Sequence, residues 1–246
     1  YNFWTRWINK HYQDSVFKSA DRLLFTSTEA IDLATKFYSR VVREKSIWLP
    51  HIFNQALYGN QAYLGNEKII LRYIGNFYGN RQPDNLLKAL QGLPPEYRSQ
   101  LRIEFIGSST QSLQEMIRVS KLDHIVFIHA PVSYIQSLEL MRSADILLII
   151  DVLAEKSPFL PSKLIDYIGA NKPIFGVTPP GTSQKLIEKM GFLVANPSNI
   201  SEIANKLIYM IEKFSKDKLK NIPSSVRDRY SVSTVGAQMK IILKNV

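Results

Sequence analysis

The chain of 246 residues has no cysteine and only four histidines, His11, His51, His124 and His129. Without thiols it can form no disulfide, no thiolate nucleophile and no cysteine-type zinc site. No two histidines have the spacing of metal ligands on one helix, so we expect no metal site. The lack of cysteine agrees with a reducing cytoplasm, which is the location we expect.

Long apolar runs are also lacking. The longest, Ile146–Ile150, has the length of a strand and falls far short of the roughly 18 residues that a membrane-spanning helix needs. No signal-peptide pattern occurs at the start. The chain opens on Tyr1 and not on Met, from which we expect a trimmed or cleaved product.

Basic residues exceed acidic ones by 31 to 21, a net charge of +10. Such an excess favours anionic partners, namely nucleic acid, acidic lipids or phosphorylated ligands. The basic residues are scattered, with a modest concentration at Lys213–Lys220, and are not interleaved with aromatics as in single-strand binders. We therefore expect no nucleic-acid partner. We interpret the positive charge either as a solvated surface or as a surface that is attracted to the anionic inner face of the cell membrane.

Short β-rich runs alternate with helical patterns between Glu67 and Phe214. The predicted strands are Ile69–Ile74, Arg102–Ile106, Ile125–Ile128, Ile146–Ile150, Ile174–Val177 and Phe192–Ala195. The predicted helices are Pro83–Gln91, Ser112–Ser120, Ser133–Ser143, Pro161–Gly169, Thr182–Met190 and Ile200–Phe214. Continuous apolar strands alternating with amphipathic helices indicate an α/β fold, a Rossmann-like doubly wound parallel sheet covered on both faces.

The flanking segments differ from this pattern. Residues 1–55 contain helix Thr5–Ser19, strand Leu23–Thr26, helix Thr28–Tyr38 and strand Ser46–Leu49, a unit too small to close a core alone. We predict four parts. They are a partial N-terminal α/β segment (1–55), a linker (56–66), a ligand-binding domain (67–214), and a polar crossover with a last helix at Val232–Asn245 (215–246).

In open α/β sheets, ligands bind at the carboxyl ends of the strands, and three loops there are candidates. The first runs from Tyr73 to Arg81, where glycines allow close backbone approach and Arg81 could hold a phosphate in bidentate fashion. It is neither a Gly-x-Gly-x-x-Gly fingerprint nor a P-loop, so a glycine turn with a solvated arginine remains the alternative.

The second candidate is the start of helix Pro161–Gly169, whose free N–H groups favour an anion. Ser162, Lys163 and Asp166 can share one helical face, and a surface Lys163–Asp166 pair is the alternative interpretation. The third candidate loop, His129–Tyr134, opens the next helix with Val132 and Ile135 available to contact a planar ring. His129 is kept as a background candidate.

These segments together resemble the group 1 family of retaining glycosyltransferases with the GT-B architecture. The resemblance rests on Tyr73–Gly79, Ser143–Leu148 and above all Ser162–Ile174, with weaker similarity at Ser19–Ser27 and Ile47–His51. It spans nearly the whole chain. It implies a donor-binding C-terminal domain joined to the end of an N-terminal acceptor domain, most of which is missing.

The resemblance also implies roles for individual residues. Arg81 is similar to the basic residue that holds the donor diphosphate, with Lys163 as a second catalytic cation. The remaining donor-binding residues that it implies, from the loop beneath the sugar, the base-contacting loop and the ribose-binding acid, are Gly75, Asn76, Val132, Ile135, Ser162 and Asp166. No metal or other cofactor is implied, and the substrate is a nucleotide-diphosphate sugar.

Two departures from the family pattern bear on activity. Pro158 stands eight residues before Asp166, where the family has the first of two acids, and Glu155 is out of register. Asn76 stands where many members have arginine. We expect transfer of a sugar to an acceptor hydroxyl with retention, in bacterial polysaccharide or glycoconjugate synthesis, and expect the chain alone to be an incomplete, inactive fragment. The alternatives are a degenerate nucleotide-sugar-binding module and a nucleotide-sugar epimerase of similar fold.

Overall fold

The computed structural model describes residues 3–59, 65–77, 79, 81–107, 111–215 and 221–245. Tyr78 and Asn80 of the predicted binding loop lie outside the described residues, as do linker residues 60–64 and residues 216–220 of the basic segment. No helix in the described part of the chain is long and apolar enough to cross a lipid bilayer.

The N-terminal segment folds around a small parallel sheet of two strands. Its elements are α1 (Phe3–Ser19), β1 (Leu23–Phe25), α2 (Thr28–Thr35), α3 (Arg40–Glu44) and β2 (Ser46–Trp48). The predicted helix Thr28–Tyr38 ends three residues early, because Ser39 has extended backbone and begins a separate helix. The predicted strand–helix–strand unit is otherwise present, with one extra helical turn before its second strand.

The main sheet that follows has six parallel strands. These are β3 (Ile69–Ile74), β4 (Leu101–Ile106), β5 (Val126–His129), β6 (Ile146–Ile150), β7 (Ile174–Val177) and β8 (Val194–Ala195). Its helices are α4 (Asp84–Gly92), α5 (Pro95–Arg98), α6 (Gln111–Val119), α7 (Tyr134–Ser143), α8 (Ser162–Ala170), α9 (Thr182–Lys189) and α10 (Ile200–Ser215). The predicted doubly wound α/β fold is confirmed, with small differences at the ends of elements and with the short helix α5, which was not predicted.

The strand order, β5-β4-β3-β6-β7-β8, creates a switch point at the centre of the sheet. The chain proceeds from β3 toward one edge and from β6 toward the other, so β3 and β6 are neighbours without being consecutive. A crevice opens beyond the carboxyl ends of two such strands, and this is where ligands bind in folds of this class. The topology therefore directs the search for a site to the residues after Ile74 and Ile150.

Both faces of the main sheet are covered by apolar clusters. Along β3, Leu71 and Tyr73 join the cluster formed with α4 and α10, whereas Ile74 joins the opposite cluster with α7, α8 and α9. This burial on both faces explains the continuous apolar character of the strands. One buried ion pair interrupts it, in which Arg72 Nε lies 2.7 Å from Glu104 Oε2. Arg72 also donates to Ser143 Oγ over 2.7 Å and so holds the end of α7.

The chain returns to the N-terminal segment at its end. A short helix α11 (Ser224–Arg227) precedes α12 (Val232–Lys244), and Phe53 forms a parallel bridge with Ser231. Near the end of α12, the carbonyl of Asn245 accepts a 2.8 Å hydrogen bond from Arg22. The last helix is thus tied both to the residues that leave β2 and to the start of β1.

Tyr58 fastens the segment before the main domain to helix α8. Its side chain is buried, and its hydroxyl donates a 2.8 Å hydrogen bond to the carbonyl of Asp166. A Cβ at Gly169 would lie 2.3 Å from this hydroxyl, so only glycine leaves room for the ring. Gly169 is therefore a packing glycine, in contrast to Gly236 of α12, where a Cβ would meet nothing within 4 Å.

We expect Gly169→Ala to destabilise the chain by about 1–3 kcal/mol, because the added methyl overpacks against a rigid, hydrogen-bonded ring. The matched variant Gly236→Ala should stabilise it by about 0.5–1 kcal/mol, since alanine favours the helix. Urea unfolding measures both. Equal effects of the two substitutions would contradict the packing role of Tyr58.

Candidate functional site

Several of the predicted site residues converge at the switch point. Gly75 and Asn76 follow β3, and the first turn of α8 carries Ser162 and Lys163. They are joined by Asp151, which follows β6. Pro161 occupies the N-cap of α8, so the helix begins where the sequence predicts. The backbone N–H groups of this first turn face the partial negative charge of any ligand placed before the helix. Ser162 itself is exposed to solvent.

Lys163 lies against the loop that follows β3. Its Nζ is 3.9 Å from the centre of the Tyr73 ring and donates a 2.7 Å hydrogen bond to the Tyr73 hydroxyl. A Cβ on Gly75 would come within 2.6 Å of the same Nζ, and Gly75 has φ +125°. The backbone conformation therefore requires glycine at this position, whereas the flexible end of the lysine side chain could move away from an added Cβ.

Two buried tyrosines form hydrogen bonds near the end of β3, one to the loop that follows the strand and one to its last residue. Tyr73 donates a 3.1 Å hydrogen bond to the carbonyl of Asn76, and its ring stacks on Phe77 with centroids 4.4 Å apart. The Ile74 N–H donates a 2.9 Å hydrogen bond to the hydroxyl of Tyr167. The side-chain oxygen of Asn76 lies near Gly107, beyond the end of β4. Asn76 thus supplies backbone and amide groups where many relatives are expected to supply a cation.

Arg81 is buried, with 8% of its surface exposed, which contradicts the alternative of a solvated arginine. It donates a 2.8 Å hydrogen bond from Nη2 to Asp151 Oδ1, and the Val152 N–H donates to the same oxygen, also over 2.8 Å. Among the described residues, no group donates to the buried Oδ2 of Asp151. The charge of Arg81 is therefore balanced in part by a buried carboxylate.

Asp151 was not among the candidates that the sequence predicted. A signal was present, because this acid directly follows the apolar strand Ile146–Ile150 and hence lies at a carboxyl end of the sheet. What the pattern could not show is its partner, since Arg81 is 70 residues away in the chain.

The electrostatic surroundings of Lys163 depress its basicity. Burial lowers its pKa, and the nearby charge of Arg81 lowers it further, whereas Asp151 opposes the shift. The resulting pKa is about 7, compared with an ordinary value of 10.5. Near neutral pH this lysine is thus close to the point at which it gains or loses its proton.

Asp166 faces a second cluster at the start of α7. Its Oδ1 accepts a 2.9 Å hydrogen bond from the hydroxyl of Tyr134. Burial raises the pKa of Asp166, while the Tyr134 hydrogen bond and the charge of His51 act in the opposite direction. Lys163 is directed to Tyr73 and Asp166 to Tyr134, so the alternative of a surface Lys163–Asp166 pair is wrong.

Val132 and Ile135 flank the first turn of α7 and expose 38% and 49% of their surface. Between them Ser133 forms a capping box with Gln136, which fixes the start of the helix. Exposed apolar side chains beside a hydrogen-bonding tyrosine form a surface suited to a planar ring. The side chain of His129 approaches β4 instead, with its Nε2 3.9 Å from Glu104 Oε1.

Pro158 connects the site's edge to the N-terminal segment. Its carbonyl accepts hydrogen bonds from Ser27 Oγ at 2.5 Å and from Thr182 Oγ1 at 2.9 Å. Glu155 is exposed in the preceding loop. Within the described residues, no group of three or more His, Asp or Glu side chains could hold a metal ion.

Comparison with known families identifies the class of protein. The family described as Glycosyl transferases group 1 matches residues 60–223, more than half of the chain. The chain belongs to this family. No curated protein shows significant sequence similarity to it.

Solved structures of GT-B glycosyltransferases share its fold at low identity. Anabaena Alr3699/HepE in complex with UDP and glucose is 16% identical with a TM-score of 0.77, covering 96% of this chain and 66% of that one. A glycosyltransferase from Rickettsia africae ESF-5 is 15% identical with a TM-score of 0.74, covering 96% and 67%. Sucrose-phosphate synthase from Thermosynechococcus elongatus is 16% identical with a TM-score of 0.72, covering 94% and 59%. The chain thus spans about two thirds or less of the length of these relatives.

The depressed pKa of Lys163 has a consequence for stability. Between pH 7 and the ordinary lysine pKa, the unfolded chain binds a proton that the folded chain releases, so the contribution of Lys163 to the free energy of unfolding rises with pH. We expect Lys163→Met to be more stable than the parent chain at pH 6, with a difference that shrinks by pH 9. Chemical unfolding at several pH values measures it.

The control for this comparison is Lys88→Met, which removes an exposed lysine of α4. It should keep the pH profile of the parent chain. A constant difference between Lys163→Met and the parent from pH 6 to pH 9 would show that the amine is charged in both states throughout.

Proposed function

We propose that the chain carries the donor half of a retaining glycosyltransferase, which transfers a sugar from a nucleotide-diphosphate sugar to an acceptor hydroxyl. The observation that carries this proposal is the half-buried Lys163 amine, held against Gly75 beside the first turn of α8. The Lys163 amine, the backbone of the Gly75 loop and the N-terminus of α8 all favour an anion at the same place, the switch point of the sheet. A solved relative bound to UDP-glucose supports a uridine nucleotide as the first probe.

In this proposal the bond between the sugar's anomeric carbon and the diphosphate breaks while the acceptor oxygen bonds to that carbon on the same face. The departing diphosphate gains negative charge and takes up the acceptor's proton. Lys163 and the free N–H groups of α8 stabilise that charge, and the stabilisation is large because they are fixed in a partly dry site. No side chain of this chain needs to act as a nucleophile.

Arg81 has a supporting part. Since Asp151 holds one of its terminal nitrogens, Arg81 brings less net charge to the ligand than the sequence alone predicts. Arg81 also exerts a field on Lys163, which lowers the pKa of that amine and makes the amine a group that gains a proton when an anion arrives. We propose Arg81 as a second cation at the diphosphate, with a smaller contribution than that of Lys163.

The nucleoside is proposed to lie over the start of α7. Val132 and Ile135 offer apolar contact to the base, and Asp166 is available to the ribose hydroxyls. Those hydroxyls would compete with Tyr134, whose own hydroxyl donates to Asp166 in the ligand-free chain. Binding thus exchanges one hydrogen bond to this carboxylate for another.

The acceptor is proposed to bind to an N-terminal domain of which residues 1–55 are a part. A parallel sheet of two strands is too small to make a core, and several large apolar side chains of this segment are exposed, including Trp4, Trp7 and Phe37. We propose bacterial polysaccharide or glycoconjugate synthesis as the pathway and the cytoplasmic membrane surface as the location. The net charge of +10 suits an anionic face.

A degenerate module that binds nucleotide sugar without chemistry is the second candidate. Pro158 favours it, because a hydrogen-bonded backbone carbonyl stands where the family pattern has an acid. The two candidates differ in product formation by a longer chain that includes the whole acceptor domain. With that chain, release of UDP from UDP-glucose on addition of acceptor sugars supports the enzyme, whereas tight binding with no release over hours supports the module.

A thermal-shift panel of UDP, GDP, ADP and their sugars tests the proposed ligand class. We expect one base to stabilise the chain by about 2.7 kcal/mol at a ligand concentration 100-fold above its Kd, because the ligand binds only the folded state. Lys163→Met and Asp166→Asn should each remove most of this stabilisation. Glu155→Ala, an exposed change nearby, should keep it, and retention of the full shift in both site variants would place the ligand elsewhere.

The affinity for UDP-glucose should depend on pH through Lys163. The diphosphate prefers the protonated amine, so affinity should be constant below pH 7 and fall by up to about tenfold per pH unit above it. Titration calorimetry from pH 6 to pH 9 measures this. Lys163→Arg keeps its charge over the whole range, and a pH profile as steep as the parent's in that variant would refute the assignment to Lys163.

A further inference from the structure

Tyr73 stands between the two elements that are proposed to hold the diphosphate. On one side its hydroxyl accepts a hydrogen bond from Lys163 Nζ at 2.7 Å, and on the other it donates to the Asn76 carbonyl at 3.1 Å. The Lys163 nitrogen also lies over the ring face. A single phenol thus touches both the amine and the loop.

The ring of Tyr73 is itself held in place. It is fully buried, stacked on Phe77 and in edge contact with Phe105 at a centroid distance of 6.3 Å. A lysine side chain, by contrast, has four rotatable stem bonds and loses rotamer entropy when it is fixed. A rigid acceptor that fixes the amine before the ligand arrives removes that cost from binding.

We propose that Tyr73 is a positioning residue, which directs the Lys163 amine toward the diphosphate by hydrogen bond and ring contact. The identity of the ligand in this inference rests on the proposed function. The contact between Tyr73 and Lys163 does not depend on that function. The Tyr73 hydroxyl accepts one N–H of the ammonium and leaves two for phosphate oxygens.

Tyr167 offers a matched control. It too is a fully buried tyrosine with a hydrogen-bonded hydroxyl, but it receives the Ile74 N–H, one residue before the loop. Loss of either hydroxyl leaves a buried partner unsatisfied and destabilises the fold by a similar mechanism. Only loss of the Tyr73 hydroxyl releases Lys163.

The test compares Tyr73→Phe with Tyr167→Phe in the full chain, by calorimetric titration with UDP-glucose. We expect Tyr73→Phe to weaken binding about tenfold, as for loss of a hydrogen bond to a charged group, and Tyr167→Phe to change it less than about twofold. In a Lys163→Met background, Tyr73→Phe should have less than about twofold effect. Equal losses for the two tyrosine variants, or a loss that persists in the Lys163→Met background, would overturn the proposal.

A second readout needs no ligand. The protonation of Lys163 can be followed by NMR of its side-chain carbon next to the amine, with Lys163→Met to assign the signal. Removal of the acceptor hydroxyl disfavours the charged amine, so the titration midpoint should fall in Tyr73→Phe and stay in Tyr167→Phe. If the parent chain does not bind UDP-glucose, the proposed function fails, and this midpoint alone decides the positioning role: a fall supports it and no change overturns it.

Discussion

The parallel pairing of β3 with β6 is the constraint on which the site depends. Leu71 and Arg72 pair with Ile146 and Leu147, which brings the residues after Ile74 and Ile150 to one edge of the sheet. That edge then receives the start of α8. Charged and polar groups from three distant parts of the chain meet there, although none of them is close to another in sequence. A change that displaced either strand would separate Arg81 from Asp151 and Lys163 from Gly75 together.

The site brings two positively charged side chains together and limits the free-energy cost of burying them. Burial of an unpaired charge is expensive, and two neighbouring cations repel each other. Asp151 balances Arg81, and Lys163 adjusts by a lowered pKa, so that it need not carry a full charge before an anion is present. The chain can thereby fold with these two neighbouring cations in the absence of a bound ligand.

Much of this fold can be predicted from the sequence, because the patterns that specify its strands and helices lie within short segments of the chain. The apolar runs predict all six main strands, and proline before Ser162 predicts the start of α8. The Gly75 loop, Lys163 and Asp166 were found for the same reason, since each belongs to a short recognisable stretch. Their site roles stay predictions, as do the bounds of the four parts of the chain.

The partners of these residues were not predictable, because each joins distant segments. Arg81 with Asp151, Lys163 with Tyr73, and Asp166 with Tyr134 are separated by 70, 90 and 32 residues. Composition and periodicity report which face a residue occupies, but not which side chain from another element meets it. The alternatives of a solvated Arg81 and a Lys163–Asp166 pair failed for this reason. Both considered only neighbours along the chain.

The most direct test of the account is a crystal structure of the chain with UDP. We predict the diphosphate within hydrogen-bond distance of Lys163 Nζ, next to the Gly75 backbone and the first turn of α8, with the ribose at Asp166 in place of the Tyr134 hydroxyl. UDP bound away from the carboxyl ends of β3 and β6, or bound there without contact to Lys163, would contradict it.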